Sequence, residues 1–272
     1  MIEYRALHTP AEMEAVVDLE ILVWGMEARD AVPGSLLIAL AHHGGHVLGA
    51  YESETLIGFS AAFFGYDEGV LQLWSHIAAV HPQYQSQGIG FQIKQQQRTW
   101  ALAQGCTRMG WTFDPLQPGN AKFNLRQLGA IARHYEPNCY GLMRDALNTA
   151  AVTLPSDRLV ATWMLDSPYV QMLAEGQLPR PSVLGRFVVE RDERDQPVSI
   201  AVAWDEPAYA IELPLHSSIL RRSNPALLLL WQTHLREAIQ AAFAHGYTAT
   251  NFLIEKGRGW YIVEAPAASC HV

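Results

Sequence analysis

The stretch Gln85-Ser86-Gln87-Gly88-Ile89-Gly90 decides how this chain folds, because it joins a strand-like segment to a helix. Residues 70–80 before it are largely apolar, and residues 91–103 after it have helical spacing that Gly105 ends. Glycines at the start of a helix leave its first amide groups accessible, and the helix dipole makes that end positive. The sequence therefore predicts a loop whose backbone binds an anion such as a phosphate.

The segments on either side of this loop predict an α+β order. Thr9-Pro10 opens a first helix, Pro33 opens a second, and Gly44-Gly45 stops it. Three strand-like runs then form a meander, at 46–51, 56–65 and 70–80. After the loop and its helix come a strand at 108–113, a proline-rich turn, and a helix to Leu128 that Asn120 is expected to cap.

A short glycine motif has other interpretations, and the order of elements separates them. A glycine-capped structural turn is one alternative, and a Rossmann loop is another. A Rossmann loop follows an early strand of a βαβ repeat, whereas three meander strands precede this one. The strand, the loop, the helix, the next strand and Asn120 together resemble the GNAT superfamily of N-acetyltransferases. The resemblance covers residues 2–143 and extends to a subgroup of predicted acetyltransferases with a C-terminal extension.

The resemblance implies a cofactor and the residues that hold it. Acetyl-CoA or another acyl-CoA is the expected cosubstrate, and no metal is expected. The pyrophosphate is expected on the loop, and the backbone of Ala78, Ala79 and Val80 is expected to pair with the pantetheine arm and to help polarise the thioester carbonyl. Asn120 is expected near the same arm.

The catalytic residues are less clearly indicated. Many members of the superfamily have a tyrosine four residues before the glycine that ends the last motif helix, but here that position is Leu125. Tyr140 is a slightly preferred alternative acid over Tyr135, and a thiolate can also leave without a dedicated acid. His76 is the first candidate for the general base, because imidazole titrates near neutral pH. A buried structural histidine is its alternative interpretation, and Asp114 is the second candidate base, with turn formation as its alternative.

The second half of the chain is expected to form an α+β extension. Residues 148–157 contain Pro155 and mark the predicted boundary, which divides the chain into a GNAT domain at 1–150 and an extension at 151–272. In the second half, a strand is followed by His216, a loop, a helix that Gly246 ends, and a further strand. The same order of elements surrounds His81 and Gly105, so a half GNAT unit is one interpretation of the extension. An acceptor-site role and a homodimer interface are the two roles considered for it.

Composition excludes several classes of partner. A formal net charge of −8 without a basic run argues against nucleic acid and anionic membranes as main partners. The N-terminus lacks the pattern of a signal peptide, no apolar run has the length of a membrane helix, and three scattered cysteines indicate no disulfide framework, so a cytoplasmic protein is expected. The cluster His42, His43 and His46 lies where a helix is expected to end, and a metal site is the less favoured interpretation.

Taken together, the sequence predicts an acyl-CoA-dependent N-acyltransferase that moves an acetyl or succinyl group to a small-molecule primary amine. A free amino acid is the leading acceptor by analogy with relatives of this architecture. The alternatives are a non-catalytic acyl-CoA sensor, which the missing tyrosine favours, and a ligand-binding module in the C-terminal half. The sequence names neither the acceptor nor the oligomeric state.

Overall fold

The computed structural model describes residues 1–141, 154–179 and 184–266, and its contacts divide the chain into two units. The first contains Met1–Trp111 and Met164–Ser167, and the second contains the remaining described residues. This division by packing falls within a strand. The predicted division into 1–150 and 151–272 remains a prediction, and most of its predicted boundary segment lies outside the described residues.

The first unit is a five-stranded mixed sheet with helices on both faces. Its strands are β1 (Ile2–Ala6), β2 (His46–Glu52), β3 (Thr55–Asp67), β4 (Val70–Val80) and β5 (Arg108–Phe113). Its helices are α1 (Pro10–Trp24), α2 (Gly34–His42) and α3 (Ile89–Ala103), with short 3-10 turns at Ala28–Asp30 and Pro82–Tyr84. The strands lie in the order β1-β2-β3-β4-β5; neighbours are antiparallel except for β4 and β5, which are parallel.

Two apolar clusters hold these helices on the sheet. Leu7, Met13 and Phe59 belong to the cluster that buries α1 and α2, while Ile57 and Ile89 belong to the cluster under α3. The start of α1 confirms the prediction at Thr9-Pro10, because Thr9 and Glu12 form a reciprocal capping box. The meander and the helix after the glycine loop are likewise confirmed.

A bulge and a divergence shape β4. Ala61 pairs with Ile77 and Ala62 with Ser75, so His76 is an extra residue that has no partner on β3. Such a bulge bends and twists its strand. On the other edge, β4 pairs with β5 at Leu73 and Trp74, and no further pair between the two strands is found among the described residues. The sheet is therefore mixed, as in the GNAT fold that the resemblance implies, and it splays at β4.

The second unit is α+β as expected. Its strands are β6 (Ile131–Glu136), β7 (Arg158–Met164), β8 (Arg186–Arg191), β9 (Pro197–Ser199), β10 (Ala208–Leu213), β11 (Thr248–Glu255) and β12 (Arg258–Glu264), in the order β7-β6-β11-β12-β10-β8-β9. Its helices are α4 (Pro118–Ala121), which continues as a π-helix at Lys122–Gln127, α5 (Pro168–Ala174), α6 (Ser217–Ser223) and α7 (Pro225–Ala244).

Two expectations for this part of the chain are wrong. Asn120 lies inside α4 and does not cap it; the capping position is Gln117, whose side chain makes no capping hydrogen bond. The suggested repeat also fails on strand order, because β12 lies between β10 and β11, whereas β4 pairs with β5 directly. The extension is α+β, but its strands do not repeat the arrangement around His81.

Candidate functional site

The glycine loop forms an open N-terminus for α3. Gly88 is the capping residue, has a φ of 82°, and provides no side-chain cap for the first turn of a 15-residue helix. A Cβ added at Gly88 would meet no atom within 4 Å, so there is free space over the helix end. Ser86 also has a positive φ, of 63°. This geometry leaves backbone N–H groups available to an anion.

Hydrogen bonds within the loop hold its shape. The Gln85 side chain donates to the carbonyl oxygen of Val80 over 3.1 Å, and the Gln87 side chain donates to the carbonyl oxygen of Gln83 over 3.1 Å. Ile89 is buried under the helix, whereas Gln85, Ser86, Gln87 and Gly88 are exposed and Gly90 is half-buried. The side chains of the two glutamines therefore hold the loop against the preceding backbone, and the loop's own backbone faces solvent.

In the part of β4 that leads to this loop, no described strand pairs with the second edge, which is called the free edge below. Ala78, Ala79 and Val80 pair with β3 on one side, and the strand's pairing with β5 ends at Trp74. Because alternate backbone groups of a strand point to opposite edges, part of this segment's N–H and C=O groups face the open side. These are the groups that an extended ligand can pair with.

His76, the bulged residue of β4, lies in the same unit. Its side chain is exposed, and its ring centroid is 6.2 Å from that of Phe63. The surrounding protein nevertheless lowers the pKa of His76 below its ordinary value by desolvation. The imidazole is therefore neutral at neutral pH, which is the form that accepts a proton.

The remaining candidates lie in the second unit. The Asp114 carboxylate accepts a hydrogen bond from the backbone N–H of Leu116 over 2.8 Å. Its other oxygen forms an ion pair with Arg221 at 3.3 Å. Asn120 is exposed. Asp114 therefore has both oxygens engaged.

The two candidate acids have different environments. Tyr140 is 52% exposed, and its hydroxyl lies 2.9 Å from the hydroxyl of Thr112. Tyr135 is buried and donates to the Asp157 carboxylate over 2.7 Å. Burial and this hydrogen bond raise the pKa of Tyr135 well above its ordinary value. Tyr135 is thus fully engaged, while Tyr140 remains accessible.

Two polar residues of α3 were missed by the sequence analysis. Lys94 is 5% exposed and Gln97 is fully buried, on the same helix face as Ile89, Ile93 and Ala101. The signal was available in the sequence, because a lysine and a glutamine occupy positions that the helical period assigns to the apolar stripe.

The histidine cluster has structural contacts. The His42 ring nitrogen Nε2 lies 3.0 Å from the carbonyl oxygen of His8, and the buried ring of His46 stacks on Trp100. Across the described parts of the chain, no group of three or more His, Cys, Asp or Glu residues is arranged to hold a metal ion. None of the helices in these parts of the chain is long and apolar enough to cross a bilayer.

Comparison with solved structures gives matches of low identity. The ribosomal-protein-S18-alanine N-acetyltransferase from Escherichia coli has a TM-score of 0.48 at 13% identity, over 61% of this chain and 96% of that chain. PaiA N-acetyltransferase from Thermoplasma acidophilum in complex with coenzyme A has a TM-score of 0.46 at 15% identity, over 60% of this chain and 99% of that chain. IAA acetyltransferase from Bacillus cereus has a TM-score of 0.43 at 12% identity, over 60% of this chain and 99% of that chain. No curated protein sequence matches the chain.

The assignment rests on the family model. Residues 13–130 match the model described as the acetyltransferase (GNAT) family. This match spans the meander, the glycine loop, α3 and β5, which are the elements from which the site is built. On that match, residues 13–130 are an acetyltransferase domain of the GNAT family.

Proposed function

We propose that this protein transfers an acyl group, acetyl or succinyl, from coenzyme A to a small-molecule primary amine. The observation that carries the proposal is the open N-terminus of α3, where Gly88 at a φ of 82° leaves free space beside uncapped backbone amides. A pyrophosphate has the charge and the acceptor atoms that such a helix end binds. Residues Gln85, Ser86, Gln87, Gly88, Ile89 and Gly90 are its proposed ligands.

The pantetheine arm is proposed to lie along the free edge of β4. An extended amide-bearing chain can pair with the backbone of Ala78, Ala79 and Val80 in the manner of an added strand. Their pairing with β3 holds that backbone rigid on the opposite edge. Asn120 remains a proposed contact of the same arm.

The transfer proceeds by direct attack. The neutral amine nitrogen forms a bond to the thioester carbonyl carbon, and the tetrahedral intermediate then breaks its carbon–sulfur bond. Backbone N–H groups of the free edge of β4 stabilise the oxyanion. His76 accepts the proton that the attacking nitrogen loses, and its neutral state at pH 7 suits that role.

The departing thiolate receives a proton from Tyr140 or from water. The exposed hydroxyl of Tyr140 supports the first route, although a thiolate leaves without an acid more readily than an alkoxide does. Asp114 remains the second candidate base. Both of its oxygens are already engaged, one by the backbone N–H of Leu116 and one by Arg221, so His76 is preferred.

The first test is calorimetric titration with CoA, acetyl-CoA and succinyl-CoA. Gly88→Glu places bulk and negative charge at the proposed pyrophosphate, and we expect it to reduce affinity at least 100-fold. Gly69→Glu is the matched control, because Gly69 has a φ of 78° and the same free space but lies in the turn between β3 and β4. Equal binding by wild type and Gly88→Glu would overturn the proposed cofactor site.

The acceptor is tested separately by turnover. A free amino acid is the first class to try, followed by other small primary amines, with release of free thiol as the readout. Turnover with any of them excludes the sensor alternative. A cytoplasmic location and a homodimer are also proposals, which fractionation and light scattering would test.

A further inference from the structure

Lys94 is a buried amine that has no charged partner among the described residues. It lies on α3, and its amino group donates to the hydroxyl of Ser75 over 2.7 Å and lies 3.9 Å from the ring centroid of Trp111. Within the described residues, no carboxylate forms an ion pair with it. Buried lysines without a counter-charge are rare, because the loss of hydration is not compensated.

A second polar group beside Lys94 also lacks a partner. The Ser75 hydroxyl donates to the side-chain oxygen of Gln97 over 3.1 Å, while the amide nitrogen of Gln97 is buried without a hydrogen bond. An ammonium has three donors, and one of those on Lys94 is used by Ser75. Exchanging the amide oxygen and nitrogen of Gln97 would leave an unpaired oxygen instead, so either orientation is unsatisfied.

These side chains lie where β4 and β5 separate. The last pair between the two strands is Trp74 with Gly110, and the next residues along them are Ser75 and Trp111. Lys94 contacts both, so its amino group marks the closed end of the opening between the strands. Ser75 also bonds to the side chain of Gln97, so the unpaired amide nitrogen belongs to the same hydrogen-bonded group as Lys94.

The proposed course of the cosubstrate leads to the same point. The pyrophosphate lies on the loop after β4, and the pantetheine runs back along Val80, Ala79 and Ala78. From Ala78 to Ser75 is three residues, or about 10 Å of strand. The free end of the acyl group is thus directed towards Ser75 and Lys94.

We propose that Lys94 and Gln97 bind the terminal carboxylate of a dicarboxylic acyl chain, such as succinyl, carried on coenzyme A. This inference rests on the proposed function and names its donor substrate. The carboxylate accepts hydrogen bonds from the ammonium of Lys94 and from the amide nitrogen of Gln97. It thereby gives Lys94 a counter-charge and gives the Gln97 amide an acceptor. Acetyl and butyryl groups offer neither.

A property of Lys94 gives the proposal a signature that does not depend on turnover. Burial lowers the pKa of Lys94 to about 7, so the unliganded amine is mostly neutral at pH 8. The two side chains that contact it, Ser75 and Trp111, do not titrate in this range, and neither does Gln97. A bound carboxylate favours the ammonium, so binding of succinyl-CoA at pH 8 takes up protons, which calorimetry in buffers of different ionisation enthalpy measures.

The test compares succinyl-CoA with butyryl-CoA, which has the same number of acyl carbons and no terminal charge. We expect wild type to prefer succinyl-CoA at least tenfold in kcat/KM. On binding, it should take up at least about half a proton more with succinyl-CoA than with butyryl-CoA. Lys94→Met, which keeps the length and apolar stem, should lose both differences. Lys122→Met, at an exposed lysine, should retain them.

A second variant guards against misfolding of the first. Gln97→Glu supplies an internal carboxylate to the group around Lys94, and we expect it to lower the succinyl preference, while circular dichroism checks that the variant is folded. A wild type with no preference for succinyl-CoA, or variants that keep it, would refute this inference alone. Failure of every acyl-CoA to bind wild type would refute the proposed function instead.

Discussion

At the scale of single residues, the bulge at His76 gives one side chain of β4 an environment of its own. It has no partner on β3, and desolvation lowers its pKa. A base works only in its neutral form, so turnover should fall as pH drops through a value below the ordinary pKa of about 6.5.

We expect His76→Gln to retain affinity for CoA and to lose about 100-fold or more in kcat, together with the acidic limb of the pH profile. Measurement of kcat between about pH 5 and 9 for both proteins checks this. Turnover of the variant that matched wild type throughout that range would remove His76 as the base. Asp114→Asn would then be the next variant to measure.

The sequence could identify His76 but not what makes it distinctive. The strand is predictable from its apolar residues, whereas the bulge depends on the register between β3 and β4, a long-range property. The same limit applies to Lys94, where the pattern indicates burial on α3 but not contact with Ser75 and Trp111. Asp114 appeared free in the sequence because Arg221 is distant along the chain.

At the scale of elements, the packing of α3 on the sheet includes a buried histidine. His46 begins β2, and its ring stacks on Trp100 of α3 with centroids 4.6 Å apart. Burial, and secondarily the charge of His8, lower the pKa of His46 to about 4. The unfolded chain takes up this proton near pH 6.5. His46 therefore leaves stability unaffected above pH 6.5 and reduces it as pH falls from 6.5 towards 4.

His46→Phe keeps a stacking ring and removes this titration. Between pH 7.5 and 5, we expect its free energy of unfolding to fall by about 2 kcal/mol less than that of wild type. Urea denaturation at the two pH values measures the difference, and His43→Gln, at an exposed position, should behave like wild type. An identical pH dependence in the Phe variant would show that another group causes the loss.

Sequence patterns predict these elements better than their endings. Thr9-Pro10 marks the start of α1 correctly because capping is local chemistry, whereas α3 begins at Ile89, two residues before the predicted start. Asn120 was misassigned because the helix begins at Pro118 and then widens into a π-helix, which no local signal distinguishes from an α-helix. The strand order of the extension depends on long-range pairing and could not be read from its similar order of elements.

At the scale of the whole molecule, Asp157 ties together distant parts of the second unit. Its buried carboxylate accepts two hydrogen bonds from Arg236 of α7, over 2.8 and 3.0 Å, and one from Tyr135 of β6. The strand that follows, β7, pairs antiparallel with β6 from Arg158 to Thr162. If the chain has a domain boundary near residue 150, the strands on either side of it form one ladder.

We therefore expect a chain ending at Asp157 to fail to fold cooperatively. It would keep the buried Asp157 carboxylate without Arg236, a loss of about 3 to 5 kcal/mol in comparable buried pairs, and it would lack β7. It would also lack Leu165, which in the first unit donates to the carbonyl oxygen of Thr107 over 2.8 Å and accepts from Arg98 over 2.7 Å.

A chain ending at Pro266 keeps every described element and serves as the control, because it should unfold cooperatively and bind acyl-CoA like the full chain. Circular dichroism during urea denaturation, with calorimetry for acyl-CoA, compares the three proteins. A folded 1–157 fragment that binds acyl-CoA would mean that the extension is a separable module added to a self-sufficient acyltransferase. Loss of both properties would mean that the acyl-CoA domain needs the strands beyond residue 157 for its own stability, so that acceptor selectivity cannot be removed without removing the fold.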